Sequence, residues 1–216
     1  MEIIKVNKNN FDEAVNKAVE VLVSGGVVVV PTDTVYGLAA DAGNKKTVRK
    51  VFEIKDRAKD KKLPVFVSSF EMLDKIADVR DVRVKKFLRN AWPGKITCAL
   101  QKCTSGMHFR SAQDGKVAVR MPNCELVLSI IEKFGGPITG TSADMTGKPE
   151  HTKIDELIAE FNGLRVQPDL ILDAGDLPPS KPSIVLDCTV WPPKILREGA
   201  VSEAELKKLL AGNILK

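Results

Sequence analysis

The sequence predicts an α+β fold of the mixed α/β kind, a mixed β-sheet flanked by helices, as one domain over residues 1–216. Three observations predict it. Short β-branched runs alternate with segments of helical apolar period along the whole chain. Two of the strand-like runs, at 27–30 and 137–141, end in hydroxyl-rich loops, the place where open α/β sheets build ligand sites. No repeat or low-complexity stretch interrupts the alternation.

Glu2 to Val6 reads as a strand, and Phe11, Ala14, Val15, Ala18 and Leu22 follow at helical spacing before Gly25-Gly26 ends the helix. Four consecutive valines, Val27 to Val30, demand a strand buried on both faces, and the run stops at Pro31. Beyond it lie Thr32, Asp33, Thr34, Tyr36 and Gly37. Val48, Val51 and Phe52 mark a second helix that ends near Lys55. Leu63 to Val67 reads as a strand, 69–77 and 80–91 as helices, and Ile96–Gln101 and Val117–Met121 as strands around a polar loop at 103–115. Glu125 to Phe134 is a helix closed by Gly135-Gly136, and Pro137 to Thr141 is a strand that runs into Ser142. A helix near 154–161 precedes strands at 170–172, 183–187 and 194–197. Ser202-Glu203-Ala204-Glu205 is a capping box that opens a last helix docked by Leu206, Leu209 and Leu210.

Composition excludes several classes. The 33 Lys and Arg against 28 Asp and Glu leave a modest excess of five, enough to favour anionic ligands and no more. Cys98, Cys103, Cys124 and Cys188 form no C-x-x-C pair, and with two histidines, His108 and His151, they make a poor zinc set; reduced thiols are expected. The N-terminus has early charges and no apolar h-region, and no window approaches the roughly twenty apolar residues of a membrane span, so a cytoplasmic protein is expected.

The polar residues suggest an anionic ligand. Lys55 and Arg57 stand two apart, so on extended backbone both side chains leave one face and converge on one phosphate, whereas on a helix they diverge. Read blandly, Lys55, Arg57, Lys59, Lys61 and Lys62 are cations at a helix C-terminus, where the dipole favours them. Arg120 lies in the otherwise apolar run Val117 to Pro122 and needs a partner, either a ligand carboxylate or an internal Asp or Glu. Ser142 ends a strand with a hydroxyl suited to a phosphate oxygen. Thr32, Asp33 and Tyr36 serve equally well as turn and capping groups. No Ser/His/Asp arrangement is evident. Positioned cations and hydroxyl donors can stabilise charge on a bound anion without a protein nucleophile.

Six segments in order, PTDTVYGL with a following Lys-x-Arg, Trp92-Pro93-Gly94, VAVRMP, TSADMTGKP, PSIVLD and ILREGAV, resemble the YrdC-like family, the L-threonylcarbamoyladenylate synthases of tRNA modification. The resemblance implies a twisted mixed sheet curled around a large basic cavity. It also implies synthesis of L-threonylcarbamoyl-AMP from L-threonine, bicarbonate and ATP, with Mg²⁺ carried on the phosphates and pyrophosphate released. The product would pass to a partner enzyme that modifies the tRNA adenosine beside the anticodon. Residue by residue, it assigns Lys55, Arg57 and Ser142 to catalysis, Arg57, Lys61, Ser142, Asp144 and Arg197 to ATP, and Thr34, Arg120 and Ser183 to L-threonine, with Tyr36 expected to line the same pocket. The chain departs from the pattern at Asp144, where relatives carry Asn, a carboxylate that would repel a triphosphate unless protonated or bridged by Mg²⁺. Ala58, Phe66, Lys95 and Ile184 are further departures. Some relatives carry an additional C-terminal domain, and none is expected here. Two alternatives stand beside the synthase: a non-catalytic binder of double-stranded RNA or tRNA, and an adenylate-forming enzyme with another substrate.

Overall fold

In a computed structural model of the protein, described for residues 1–57, 63–103, 115–148 and 150–212, eleven strands and seven helices follow one another in the predicted mixed order. They are β1 (Glu2–Lys5), α1 (Phe11–Val23), β2 (Val28–Val30), β3 (Gly37–Ala39), α2 (Lys45–Ile54), β4 (Val65–Phe66), α3 (Phe70–Asp74), α4 (Val82–Ala91) and β5 (Ile96–Gln101). There follow β6 (Lys116–Arg120), α5 (Glu125–Phe134), β7 (Ile138–Thr139), β8 (Thr141–Ser142), α6 (Ile154–Asn162), β9 (Leu170–Asp173), β10 (Ile184–Asp187), β11 (Lys194–Arg197) and α7 (Glu203–Leu210). Most of the expected polar loop at 103–115, and Lys61, lie outside the described residues.

The strands form two mixed sheets, ordered β1-β9-β2-β3-β8 and β11-β10-β5-β6-β4-β7. In the first, β1, β9 and β2 run parallel, and β3 turns back antiparallel on β2. The valine run explains why this sheet needs helices on both faces. Val28 and Val30 pack with α1 and α5, Val27 and Val29 with α2 and α6, and all four are 0% exposed. Each contributes about 1.5–3 kcal/mol relative to an exposed side chain, an upper estimate because unfolded chains already bury part of that surface.

Along β10, β5 and β6 the second sheet separates a helix-covered face from a cavity. Cys98, Leu100, Val117, Val119, Ile184 and Leu186 point into a core built with α3, α4 and α7. The intervening residues, Ala99, Ala118 and Val185 among them, face a cavity. Period-two alternation thus separates core from site along three adjacent strands.

The two sheets meet where Asp41 bridges Ile138 and the Thr139 N–H donates to the Ala40 carbonyl at 2.8 Å. Here the expected single strand over 137–141 divides: β7 pairs with β4 in the second sheet, β8 with β3 in the first. Gly140 makes the crossing possible, because a Cβ at this position would lie 2.3 Å from the Phe66 ring. The strand β3 was not expected, since Gly-Leu-Ala has little β-propensity and is held by its neighbours. Among the thiols, which are unpaired, Cys98 and Cys188 are buried and Cys103 and Cys124 half-buried. No described helix is long and apolar enough to cross a membrane.

Candidate active site

A cavity of about 410 Å³ opens between the second sheet, the turn after β2 and the β7–β8 crossing. Its floor is small by sequence: Ala99 and Ala118 are cross-strand partners, and larger residues at both would fill it.

The turn after β2 is built by its own hydroxyls. The Thr32 Oγ1 donates to the Val35 carbonyl at 2.7 Å and accepts from the Thr34 N–H at 3.1 Å. This fixes Thr34 on the cavity wall, where its Oγ1 accepts from Arg120 Nη1 at 3.1 Å. The other two nitrogens of Arg120 each make a hydrogen bond as well. Nε donates to the Gly94 carbonyl at 2.8 Å and Nη2 to Asp33 Oδ1 at 2.5 Å, and the guanidinium sits 5.8 Å from the Phe66 ring centroid. Of the two partners the sequence left open for Arg120, the structure supplies the internal one, while Arg120 still lines the cavity beside Thr34. Burial pulls the Arg120 pKa down and Asp33 opposes that pull. Asp33 stands behind Arg120, with Oδ2 buried and without a hydrogen-bond partner among the described residues.

Tyr36 borders the cavity, but its side chain is turned into the core between α2, α6 and the first sheet. The hydroxyl donates to the Gly175 carbonyl at 2.6 Å and accepts from the Ala174 N–H at 3.1 Å. It joins two segments and has no donor to offer a ligand. Burial pushes its pKa up to about 12, against the pull of the Ala174 N–H. A group whose folded pKa is raised stabilises fully below the unfolded value of 10, and that contribution is lost as pH climbs toward 12. Tyr36 is the sole tyrosine, so absorbance at the phenolate band reports it alone. Its titration midpoint is expected near 12; ionisation near 10 in folded protein would place the hydroxyl in solvent.

Lys55 and Arg57 do not converge. Helix α2 ends in a Schellman closure: the Arg57 N–H donates to the Phe52 carbonyl at 3.0 Å and the Asp56 N–H to Glu53 at 3.2 Å, with Asp56 at φ 45°. This turn sends the two side chains apart. Arg57 enters the cavity, and Lys55 is buried behind it against Ser142 and Asp144. Burial lowers both pKa values; Asp144 opposes the shift at each, and Arg197 adds to it at Arg57. Arg57 and Arg197 therefore crowd like charge onto one wall. Arg197, at the end of the edge strand β11, is steadied by donation from Nη2 to the Ser183 carbonyl at 2.8 Å. The Ser183 hydroxyl shares a 2.8 Å hydrogen bond with the buried Thr97 hydroxyl.

The structure brings Thr34, Tyr36, Arg57, Arg120, Ser142, Ser183 and Arg197 to one cavity and leaves Lys55 and Asp144 behind its wall. Sequence reasoning missed Lys116 and Asp187, a 2.8 Å ion pair on the same wall. The signal was present, since Lys116 and Ala118 share a strand face with Arg120, and Asp187 shares one with Ser183.

A model of the Sua5/YciO/YrdC family, described as telomere recombination, matches residues 20–199. The chain is 33% identical to the threonylcarbamoyl-AMP synthase of Pyrococcus abyssi over 208 residues, 96% of this chain and 60% of that protein. It is 32% identical to that of Bacillus subtilis over 200 residues, 92% of this chain and 57% of that protein. It therefore spans less than two thirds of the length of these curated relatives. A crystal structure of P. abyssi Sua5 complexed with L-threonine aligns with a TM-score of 0.87 at 31% identity, over 100% of this chain and 63% of that one.

Proposed function

The chain belongs to the Sua5/YciO/YrdC family, and from that premise we propose that its cavity makes L-threonylcarbamoyl-AMP from L-threonine, bicarbonate and ATP. The observation that carries the reading is one cavity lined by three arginines, Arg57, Arg120 and Arg197, together with the hydroxyl residues Thr34, Ser142 and Ser183. The Arg120–Thr34 pole suits an amino-acid carboxylate, and the Arg57–Arg197 pole, with the Ser142 hydroxyl, suits a polyphosphate. About 410 Å³ lies within the range of small-molecule sites and is too confined for an A-form duplex, which favours this reading over RNA binding.

In the proposed reaction the threonine amine takes up carbon dioxide from bicarbonate with loss of water. The resulting N-carboxylate oxygen attacks the α-phosphorus of ATP, and the bond to the leaving pyrophosphate breaks. The protein acts as a nucleotidyltransferase through position and charge: Arg57 and Arg197 meet the negative charge on the phosphoryl oxygens, and Ser142 donates to one of them. Lys61 belongs to the same proposed ATP set. Ser183 closes the amino-acid side. Mg²⁺ enters as part of the substrate MgATP, because Asp144 and Asp187 already hold Lys55 and Lys116. The product would supply a tRNA-modifying enzyme.

Pyrophosphate release, with mass detection of the adenylate, tests the reading when ATP, Mg²⁺, bicarbonate and L-threonine are omitted in turn. Release that requires all four is expected. Nucleotide binding without release in the complete mixture would reject the synthase and favour an enzyme of different substrate.

A further inference from the structure

An ammonium group has three N–H donors, and Lys55 commits all three to one loop. Nζ donates to the Ser142 carbonyl at 2.6 Å, the Asp144 carbonyl at 2.7 Å and Asp144 Oδ2 at 3.1 Å. The side chain is 1% exposed. Its main chain joins in, since the Lys55 carbonyl accepts from the Thr146 N–H at 2.9 Å. The C-terminus of α2 is thus stitched to residues 142–146 by four hydrogen bonds, and this is the loop whose first residue, Ser142, faces the cavity. Asp144 is the counter-ion of Lys55, 9% exposed on its side chain, with Oδ1 buried and without a hydrogen-bond partner among the described residues.

We propose that Lys55 and Asp144 form a mutually neutralising positioning pair for Ser142, so that the substrate phosphates are met by Arg57 and Arg197 and not by Lys55. The proposal rests on the synthase reading for the identity of the ligand, and on the geometry alone for the pair. It accounts for the departure at Asp144. A carboxylate this close to a triphosphate site is tolerable when a buried ammonium cancels it, and the ammonium is tolerable in a nearly dry pocket because the carboxylate is there. Neither group is then available to the ligand.

The test is a double-mutant cycle of Lys55→Met, Asp144→Leu and both together, read by urea unfolding and by kcat and KM in the pyrophosphate assay. Each single variant is expected to lower kcat/KM for MgATP about 100-fold, the scale of a displaced active-site group, and to lower the unfolding midpoint, because each removes one side of a buried ion pair. The double variant is expected to recover the midpoint and at least tenfold of the lost kcat/KM. The KM for L-threonine should stay within about twofold throughout, a split that general unfolding does not produce. If Lys55 instead binds phosphate, the double variant stays as inactive as Lys55→Met, and Asp144→Leu alone tightens ATP binding by removing a repulsive charge; either result overturns the pair. Amine methylation mapped by mass spectrometry gives a readout free of activity. Lys55 is expected to remain unmodified in the unliganded wild type and to become reactive in Asp144→Leu. Reactivity in the unliganded wild type, suppressed by ATP, would overturn the proposal. A wild type that releases no pyrophosphate but protects Lys55 would reject the synthase reading and leave the pair supported.

Discussion

Arg120→Met is expected to abolish the proposed pyrophosphate release and to destabilise the fold by about 3–5 kcal/mol, the range for breaking a buried ion pair from one side. Asp33 is the reason. Its side chain is 10% exposed, and among the described residues one oxygen is held only by Arg120 and the other has no hydrogen-bond partner, so removing the guanidinium strands a buried carboxylate. Lys at this position restores a charge but not the three-way fork that reaches Gly94, Thr34 and Asp33 together, and only part of the stability should return. Adding Asp33→Asn to Arg120→Met removes the stranded charge. That double variant should regain most of the unfolding free energy while remaining inactive, because the guanidinium that bonds Thr34 is gone. Equal stability of Arg120→Met and wild type in urea would show that the pair does not hold the turn. Retained turnover would remove Arg120 from the amino-acid pole.

Ala118→Leu is the complementary case, with a large effect on function and a small one on folding. Ala118 and its cross-strand partner Ala99 form the floor of the cavity on the face of β5 and β6 opposite the helix-covered one. A leucine there projects into the cavity and away from the core of Val117 and Val119, so the unfolding free energy should change by no more than about 1 kcal/mol. The added carbons occupy space proposed for substrate. A fall in kcat/KM of about 100-fold is expected, the scale of a ligand displaced by about 1 Å. Unchanged kinetics would mean that the ligand does not rest on the sheet. A large loss of stability would mean that the floor is packed instead of open.

Much of the fold was legible because the signals are local. Helix α7 begins at its capping box, with the Ser202 hydroxyl and the Glu205 carboxylate reciprocally bonded, and that device lies entirely within four residues. The four valines announced a strand buried on both faces, and both faces are covered. The strand β3 left no comparable mark, because Gly-Leu-Ala becomes extended only when β2 and β8 bond it on either side. In the site, the hydroxyls and arginines at strand ends were found and the Lys116–Asp187 pair was not. Its two residues are 71 apart in sequence, and each by itself reads as a solvated charge.

By itself, the sequence determined the order of the elements, the faces they bury, the family to which the chain belongs, and the group of polar residues brought to the strand ends. Only the tertiary structure decided what those residues do to one another. It placed Asp56 in a left-handed turn that sends Lys55 and Arg57 apart, paired Arg120 with Asp33 across 87 positions, and divided one expected strand between two sheets at Gly140. The physical reason is range. Hydrophobic period and capping act within a turn or two of chain, whereas the partner of a buried charge is chosen by whichever distant segment packing brings within about 3 Å of it.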